Sequence, residues 1–155
     1  MDQDFDAAIL IYEDYCALSP GQRANLLGRI TASLKNGGHF LFDVTASPRF
    51  SDFSDAIVET KNLMGGFWSA APYHGRLETW TYPDLRLVLE KYTIITRSDA
   101  REYYNWPQCL SWEQVTQELS EAGLAVSGLF NDVTGSPYDP RSTIFAVLAH
   151  KHVEK

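Results

Sequence analysis

Near the start of the chain, Tyr12-Glu-Asp-Tyr15 sets two carboxylates between two phenols, directly after the apolar run Phe5-Asp-Ala-Ala-Ile-Leu-Ile-Tyr12. If that run is a strand, the acidic tip stands at its carboxyl end, where open α/β sheets bind their ligands. Carboxylates placed there could take a proton or hold a cation. The plainer alternative is a solvated acidic loop leading into a helix. A second group is aromatic: Trp68, Tyr73, Trp80, Tyr82, Tyr103, Tyr104 and Trp106. Their faces could close over an apolar ligand or attract a cation. Spacing of two along strands argues for cross-strand packing in most of them, which leaves Trp68, Tyr104 and Trp106 as candidates for ligand contact. His39, His74, His150 and His152 are scattered without ligand spacing, so no metal is expected. Cys16 and Cys109 are too few for a disulfide framework or a four-ligand zinc site. Cys16 follows the acidic tip, either as a pocket residue or as a small buried hydrophobe.

The elements that must position these groups can be read from punctuation and period. Phe5–Tyr12 and His39–Val44 are apolar runs, as expected of strands buried on both faces. Between them Ser19-Pro-Gly-Gln22 reads as a capping box with proline at the first helical position. Leu26, Leu27, Ile30 and Leu34 form one helical stripe, and Gly37-Gly38 is expected to close it. This is a β-α-β unit. Asp43 ends the second strand, within reach of the Tyr12–Tyr15 loop. Arg76–Tyr82, Leu85–Arg97 and Arg101–Leu110 alternate with period two, with turns at Pro83-Asp84 and Ser98-Asp99-Ala100. They predict an antiparallel three-stranded meander, inserted over residues 67–110. A second capping box, Ser111-Trp-Glu-Gln114, starts a helix that Gly123 stops. Leu124–Phe130 and Thr143–Ala149 then form a pair of strands with no helix between them, hence antiparallel.

Composition narrows the class. The 155 residues, 45% of them hydrophobic, suit a single domain over residues 1–155. With 13 basic and 20 acidic residues the net charge is −7, and a nucleic-acid groove is not expected. The acidic opening is unlike a signal peptide, and no apolar run approaches a membrane span, so a cytoplasmic location with no membrane partner is expected.

Strand, capped helix, strand, meander, helix and closing antiparallel pair is an order that resembles the class I S-adenosylmethionine-dependent methyltransferases. The local sequence resembles them too, in the stretch Phe5–Tyr15, in Leu18-Ser-Pro-Gly-Gln-Arg23 and in Leu34-Lys-Asn-Gly-Gly-His-Phe-Leu-Phe-Asp-Val44. These match the family's fourth strand through its fifth. Trp112–Gly123 is similar to its last helix, and Thr143–Ala149 to its seventh strand, which inserts antiparallel between the fifth and sixth. The resemblance implies an α/β fold with a partial Rossmann-like sheet. It implies a transferase that passes a methyl group to a small-molecule acceptor, with S-adenosylmethionine as cofactor. Tyr12 and Glu13 would touch the cofactor. Glu13 and Asp14 would serve as base or cation contact, and Tyr15 would line the acceptor side; the resemblance does not cover the meander, so Trp68, Tyr104 and Trp106 are expected to touch the acceptor on the strength of their residue types alone.

The departure from the family is as informative. Its cofactor loop is a Gly-x-Gly-x-Gly turn, and no Gly-x-Gly occurs among the ten glycines here. The chain resembles the C-terminal half of the domain, without the half that holds most of the cofactor. Weak or no binding of S-adenosylmethionine, and an inactive chain in isolation, are therefore expected. The rival reading is a non-catalytic binding or dimerisation module on the same fold. Without the family's first strand, Phe5–Tyr12 becomes an open edge, and the sheet face away from the helices stays bare. Unprotected edges and apolar faces predict a homodimer, or another partner covering them.

Overall fold

Both capping boxes form as their spacing predicts. In α1 (Pro20–Ser33) the Gln22 amide donates to the Ser19 hydroxyl, and the Ser19 amide donates to the Gln22 side chain. In α2 (Trp112–Glu121), Ser111 and Gln114 repeat the arrangement. Each box satisfies two amides that a helix start leaves orphaned. α1 ends sooner than Gly37-Gly38 suggested. Leu34 already turns extended, with φ −76° and ψ 139°, and its side chain is fully buried. The chain passes directly into β2 (Leu34–Thr45), with Gly37 at φ +76°.

The computed structural model describes residues 5–152, which fall into two compact units. One is built from the residues up to Phe50 and from Gln108 onward. The other is Ser51–Pro107. The acidic opening residues before Phe5 lie outside the described part.

The first unit holds β1 (Phe5–Leu10), β2, β7 (Leu124–Phe130) and β8 (Ile144–Lys151), in the order β1-β2-β8-β7. β1 and β2 are parallel, as a strand-helix-strand crossover requires. β8 runs antiparallel between β2 and β7. This is the partial Rossmann-like sheet the resemblance implied, including the inserted antiparallel strand. Phe40, Phe42 and Val44 of β2 and Val147 and Ala149 of β8 share a buried cluster with Leu27 of α1 and Val115 and Leu119 of α2. The two helices adjoin, and the Thr31 hydroxyl donates to the Ala122 carbonyl at 3.0 Å. On the other face Ile9, Leu41 and Leu148 stand in one cross-strand row, and Ile9 is 67% exposed. His39 and His150, far apart in sequence, meet across β2 and β8.

The second unit is a four-stranded antiparallel meander, β3 (Ala56–Lys61), β4 (His74–Tyr82), β5 (Leu87–Ile95) and β6 (Ala100–Asn105). The sequence predicts only the last three strands. β3 escapes because Ala56-Ile-Val-Glu-Thr-Lys61 groups its apolar residues in one block and its polar residues in the next, so no alternation marks it. The last strand stops at Asn105 rather than Leu110. Leu110 instead bridges to Ala46 in the first unit, donating to the Thr45 carbonyl and accepting from the Ser47 amide at 2.9 Å each. Leu63, Tyr73 and Ile94 form the second unit's own core, with Trp68, Leu77 and Tyr92 against it. No helix of the described residues is long and apolar enough to cross a membrane.

Candidate functional site

β1 ends at Leu10, two residues before the acidic tip, because the backbone leaves the extended region there. Tyr12 and Glu13 both have positive φ, 70° and 59°, in the left-handed conformation that L-residues other than glycine rarely adopt. The sequence has no glycine to ease this turn. Asp43 compensates. Its carboxylate, one residue beyond the β1 partner Phe42, accepts the Glu13 amide at 2.8 Å and the Tyr12 amide at 3.2 Å. The reach from Asp43 to the Tyr12–Tyr15 loop was expected from its place at the strand end.

The resulting elbow has a definite chemistry. The Tyr12 ring is 87% exposed. The half-buried Glu13 carboxylate accepts a short hydrogen bond from the Thr45 hydroxyl. Asp14, exposed, opens a single turn of 3-10 helix, Asp14–Ala17. The elbow sits at the carboxyl ends of two parallel strands, the position at which open sheets bind ligands. A fixed carboxylate beside an exposed aromatic face can hold a cationic group, and the exposed Asp14 can accept a proton.

Two of the residues beside the elbow are structural. Cys16 is buried, and its sulfur accepts the Thr45 amide at 3.2 Å. Burial pushes its thiol up to about 12, against the opposing pull of the Thr45 hydrogen bonds, so it stays protonated and packs as a small apolar group. Tyr15 corrects the sequence reading. Its ring has no exposure, stacks obliquely on Phe42 at 4.9 Å, and its hydroxyl donates to Glu118. Burial first, then the Glu118 hydrogen bond, raise its ionisation well above the usual phenol range. It has no surface to offer an acceptor. A 3-10 turn has no long period, so its inward residues could not be told from its outward ones.

A further group went unnoticed in the sequence. Arg23 of α1 is 2% exposed and grips Glu118 of α2 with Nε and Nη2, at 2.8–3.1 Å. Its Nη1 donates to the Leu18 carbonyl at 2.7 Å and to the Gln108 side chain at 3.0 Å. The guanidinium lies 5.7 Å from the Tyr15 ring. The signal was available: Arg23 falls one helical turn before Leu27 on the apolar stripe. This network fixes the two helices and the Tyr15 turn, and through that turn the elbow.

The aromatic candidates belong to the second unit, and the structure separates them. Trp68 stacks on Tyr103, with centroids 4.7 Å apart and planes at 29°, and also meets Tyr92 and Phe67. Adjacent strand residues point to opposite faces, so Tyr104 is turned away from that cluster. It covers Lys91 at 5.9 Å and donates to Glu102 at 2.8 Å. Trp106 faces Tyr82 at 6.1 Å. Tyr73 is core, its hydroxyl donating to the Leu63 carbonyl.

No protein-family model matches the sequence, and no curated protein matches it. Solved structures do. An S-adenosylmethionine-dependent methyltransferase from Clostridium acetobutylicum superposes with a TM-score of 0.73 at 12% identity, over 98% of this chain and 60% of its own. The CcbJ methyltransferase from Streptomyces caelestis gives 0.67 at 11% identity, over 99% of this chain and 59% of its own. A sugar N-methyltransferase from Streptoalloteichus gives 0.58 at 18% identity, over 98% and 57%. At these identities the likeness is one of fold. The chain spans 57–60% of the length of these structures, consistent with the C-terminal half of such a domain.

Proposed function

We propose that this chain forms the acceptor side of an S-adenosylmethionine-dependent methyltransferase acting on a small molecule. The observation that carries the reading is the Tyr12–Glu13 elbow, held by Asp43 at the carboxyl ends of two parallel strands in a chain with the fold of methyltransferases. The residues fit one end of the cofactor only. Tyr12 and Glu13 offer an aromatic face and a fixed carboxylate to a methyl-bearing cation, whereas no Gly-x-Gly turn is present to cradle the rest. The bound cofactor would supply a methyl group on a sulfonium, transferred in line to an acceptor nitrogen or oxygen. The chain's own work is then positioning. Glu13 and Tyr12 orient the cation, and Asp14 takes the proton from an acceptor that must lose one. Within the second unit Trp68 packs against Tyr103 on one face of the sheet, whereas Tyr104 and Trp106 belong to the other, so the three do not form one contact surface.

The open side of the first unit supports the second half of the proposal, that two copies associate. β1 is the outermost strand, with Phe5 58% and Ile9 67% exposed. A groove of about 440 Å³ runs beside it, lined by Ala8, Ile9, Leu26 and Ile30 with Arg29. A two-fold axis would join the two edges antiparallel and satisfy their outer amides and carbonyls.

The test is a titration of the ¹⁵N-labelled chain with S-adenosylmethionine, paired with calorimetry. Amide shifts confined to Tyr12, Glu13 and Asp14, with affinity weaker than micromolar, are expected. Millimolar ligand that leaves the elbow unmoved would refute the methyltransferase reading and leave a non-catalytic dimerisation module on this fold. That reading draws on the exposed β1 edge.

A further inference from the structure

Three of the four histidines, scattered along the sequence, come together on the open face of the first unit's sheet. β2 and β8 set His39 opposite His150 with ring centroids 6.4 Å apart, and His152, just past the end of β8, stands 5.9 Å from His150. Phe40, Phe42, Val147 and Ala149 take the side that packs on the helices, so alternation turns His39 and His150 to the other. His39 and His152 are exposed, and His150 is half-buried. Ala7 of β1 and Ala125 of β7 complete the cross-strand row, with side chains too short to cover the rings. The next row on this face, Ile9, Leu41 and Leu148, forms an apolar wall beside them. Lys151, whose charge would repel a cation, is turned the opposite way and donates to the Leu34 carbonyl at 3.0 Å.

These spacings suit a shared metal ion. A metal–imidazole bond of roughly 2.0–2.1 Å puts each ring centroid about 3 Å from the metal, and hence two rings on one ion about 5–6.5 Å apart. Among the described residues no three ligating side chains already close on one point. The chelating pair is therefore His39 with His150, whose backbones the strand register holds, and His152 must turn to join them. The donor set also selects the metal. Imidazole nitrogen suits copper, nickel and zinc, whereas magnesium and calcium require oxygen, and no carboxylate belongs to this row. A net charge of −7 draws cations rather than anions to the surface.

We infer that His39 and His150, joined by His152, bind one divalent copper, nickel or zinc ion on the open face of the first unit's sheet, with water in the remaining positions. The inference stands apart from methyl transfer: its test contains no S-adenosylmethionine, so either can fail alone. The full chain, free of any affinity tag, would be titrated calorimetrically with the chlorides of copper, nickel and zinc, with magnesium as comparator. Copper should bind most tightly, and all three should exceed magnesium by about tenfold or more. In the ¹⁵N-labelled chain, zinc should shift the ring signals of His39 and His150 ahead of those of His74 in the second unit. His39→Gln and His150→Gln should each weaken zinc binding about tenfold, and His152→Gln about threefold, while His74→Gln leaves it unchanged. Zinc should also raise the denaturation midpoint of the parent but not of His150→Gln, because the ion ties together two strands that meet only in the folded chain. Binding no tighter than magnesium's would overturn the proposal, as would binding that survives His150→Gln or is lost in His74→Gln. Should a β2 or β8 variant fail to fold, the ring signals of the parent decide: zinc shifts that bypass His39 and His150 refute the site.

Discussion

Tyr12→Gly should make the protein more stable while removing the ring on which the proposed site depends. A non-glycine residue in the left-handed region costs about 1–2 kcal/mol, and Tyr12 sits there at φ 70°. Its side chain is 87% exposed, so truncation forfeits little burial. Glycine's greater freedom in the unfolded chain takes back about 0.5–1 kcal/mol. The balance is a gain of roughly 0.5–1 kcal/mol, or a rise in Tm of about 1–4 °C for a chain of this size. Tyr12→Ala keeps the strain and loses the ring, and should stay within about 0.5 kcal/mol of the parent. Guanidinium denaturation of the three proteins, followed by circular dichroism, measures both differences. In the cofactor titration Tyr12→Gly and Tyr12→Ala should both blunt the elbow response. If Tyr12→Gly proved less stable than Tyr12→Ala, the backbone strain assigned to this turn would be absent and the argument from it would fall. Stability gained at the expense of binding is the signature expected where strain is kept for function.

Arg23→Met leaves Glu118 facing the core without its cation, and should cost roughly 2–4 kcal/mol, discounted from the fully buried case because Glu118 retains some exposure. The double variant Arg23→Met/Glu118→Leu should be more stable than Arg23→Met alone, and a denaturant cycle over the four proteins checks it. The Cys16 thiol, raised by burial to about 12 from 9.0, ionises more readily in the unfolded chain, so its contribution is complete below pH 9 and is lost as pH climbs towards 12. Denaturation midpoints should therefore fall across that window, and fall less steeply in Cys16→Ala. Gly75→Ala would set a Cβ 2.4 Å from that of Leu63, and should lower the stability of the second unit by about 1–3 kcal/mol, read from Trp68 fluorescence during unfolding. Ile9→Lys, in the middle of the β1 edge, should convert a dimer to monomers in light scattering at tens of micromolar. A parent protein that is already monomeric would refute the edge pairing.

The parts of the fold that sequence revealed are those with local causes. Ser19 with Gln22 and Ser111 with Gln114 mark helix starts by chemistry confined to four residues, and the apolar run of β2 carries its burial in its composition. The misread parts have distant causes. α1 stops at Ser33 because Leu34 is drawn into the core by partners elsewhere in the chain, and the two glycines beyond it gave a false endpoint. Tyr15 turns inward because Glu118, far along the sequence, offers its hydroxyl a partner. β3 sets its apolar residues in one block, Ala56-Ile-Val58, and so shows no alternation. In the proposed site, the position of Glu13, Asp14 and Asp43 at strand ends is legible in the sequence. The strain at Tyr12 is not, since no turn-forming residue announces it.

The insertion of one unit into the other bears on the order in which the chain folds. Pairings in the second unit link strands that follow one another, whereas β2 must wait for β8, with His39 opposite His150. Local pairings form sooner, so the meander should be complete while the first unit is still open. Ala56, Thr79, Glu90 and Asn105 stand in one row across it. Three strand spacings place the two ends of the row about 14 Å apart, where a random coil of the same length would average about 40 Å. The early-formed sheet thus shortens the loop that separates the two parts of the first unit. By the logarithmic dependence on loop length, the saving in closure entropy is roughly 2 kcal/mol. The insert acts as a clasp in time as well as in space, delivering Leu110 to Ala46 before β8 has been made.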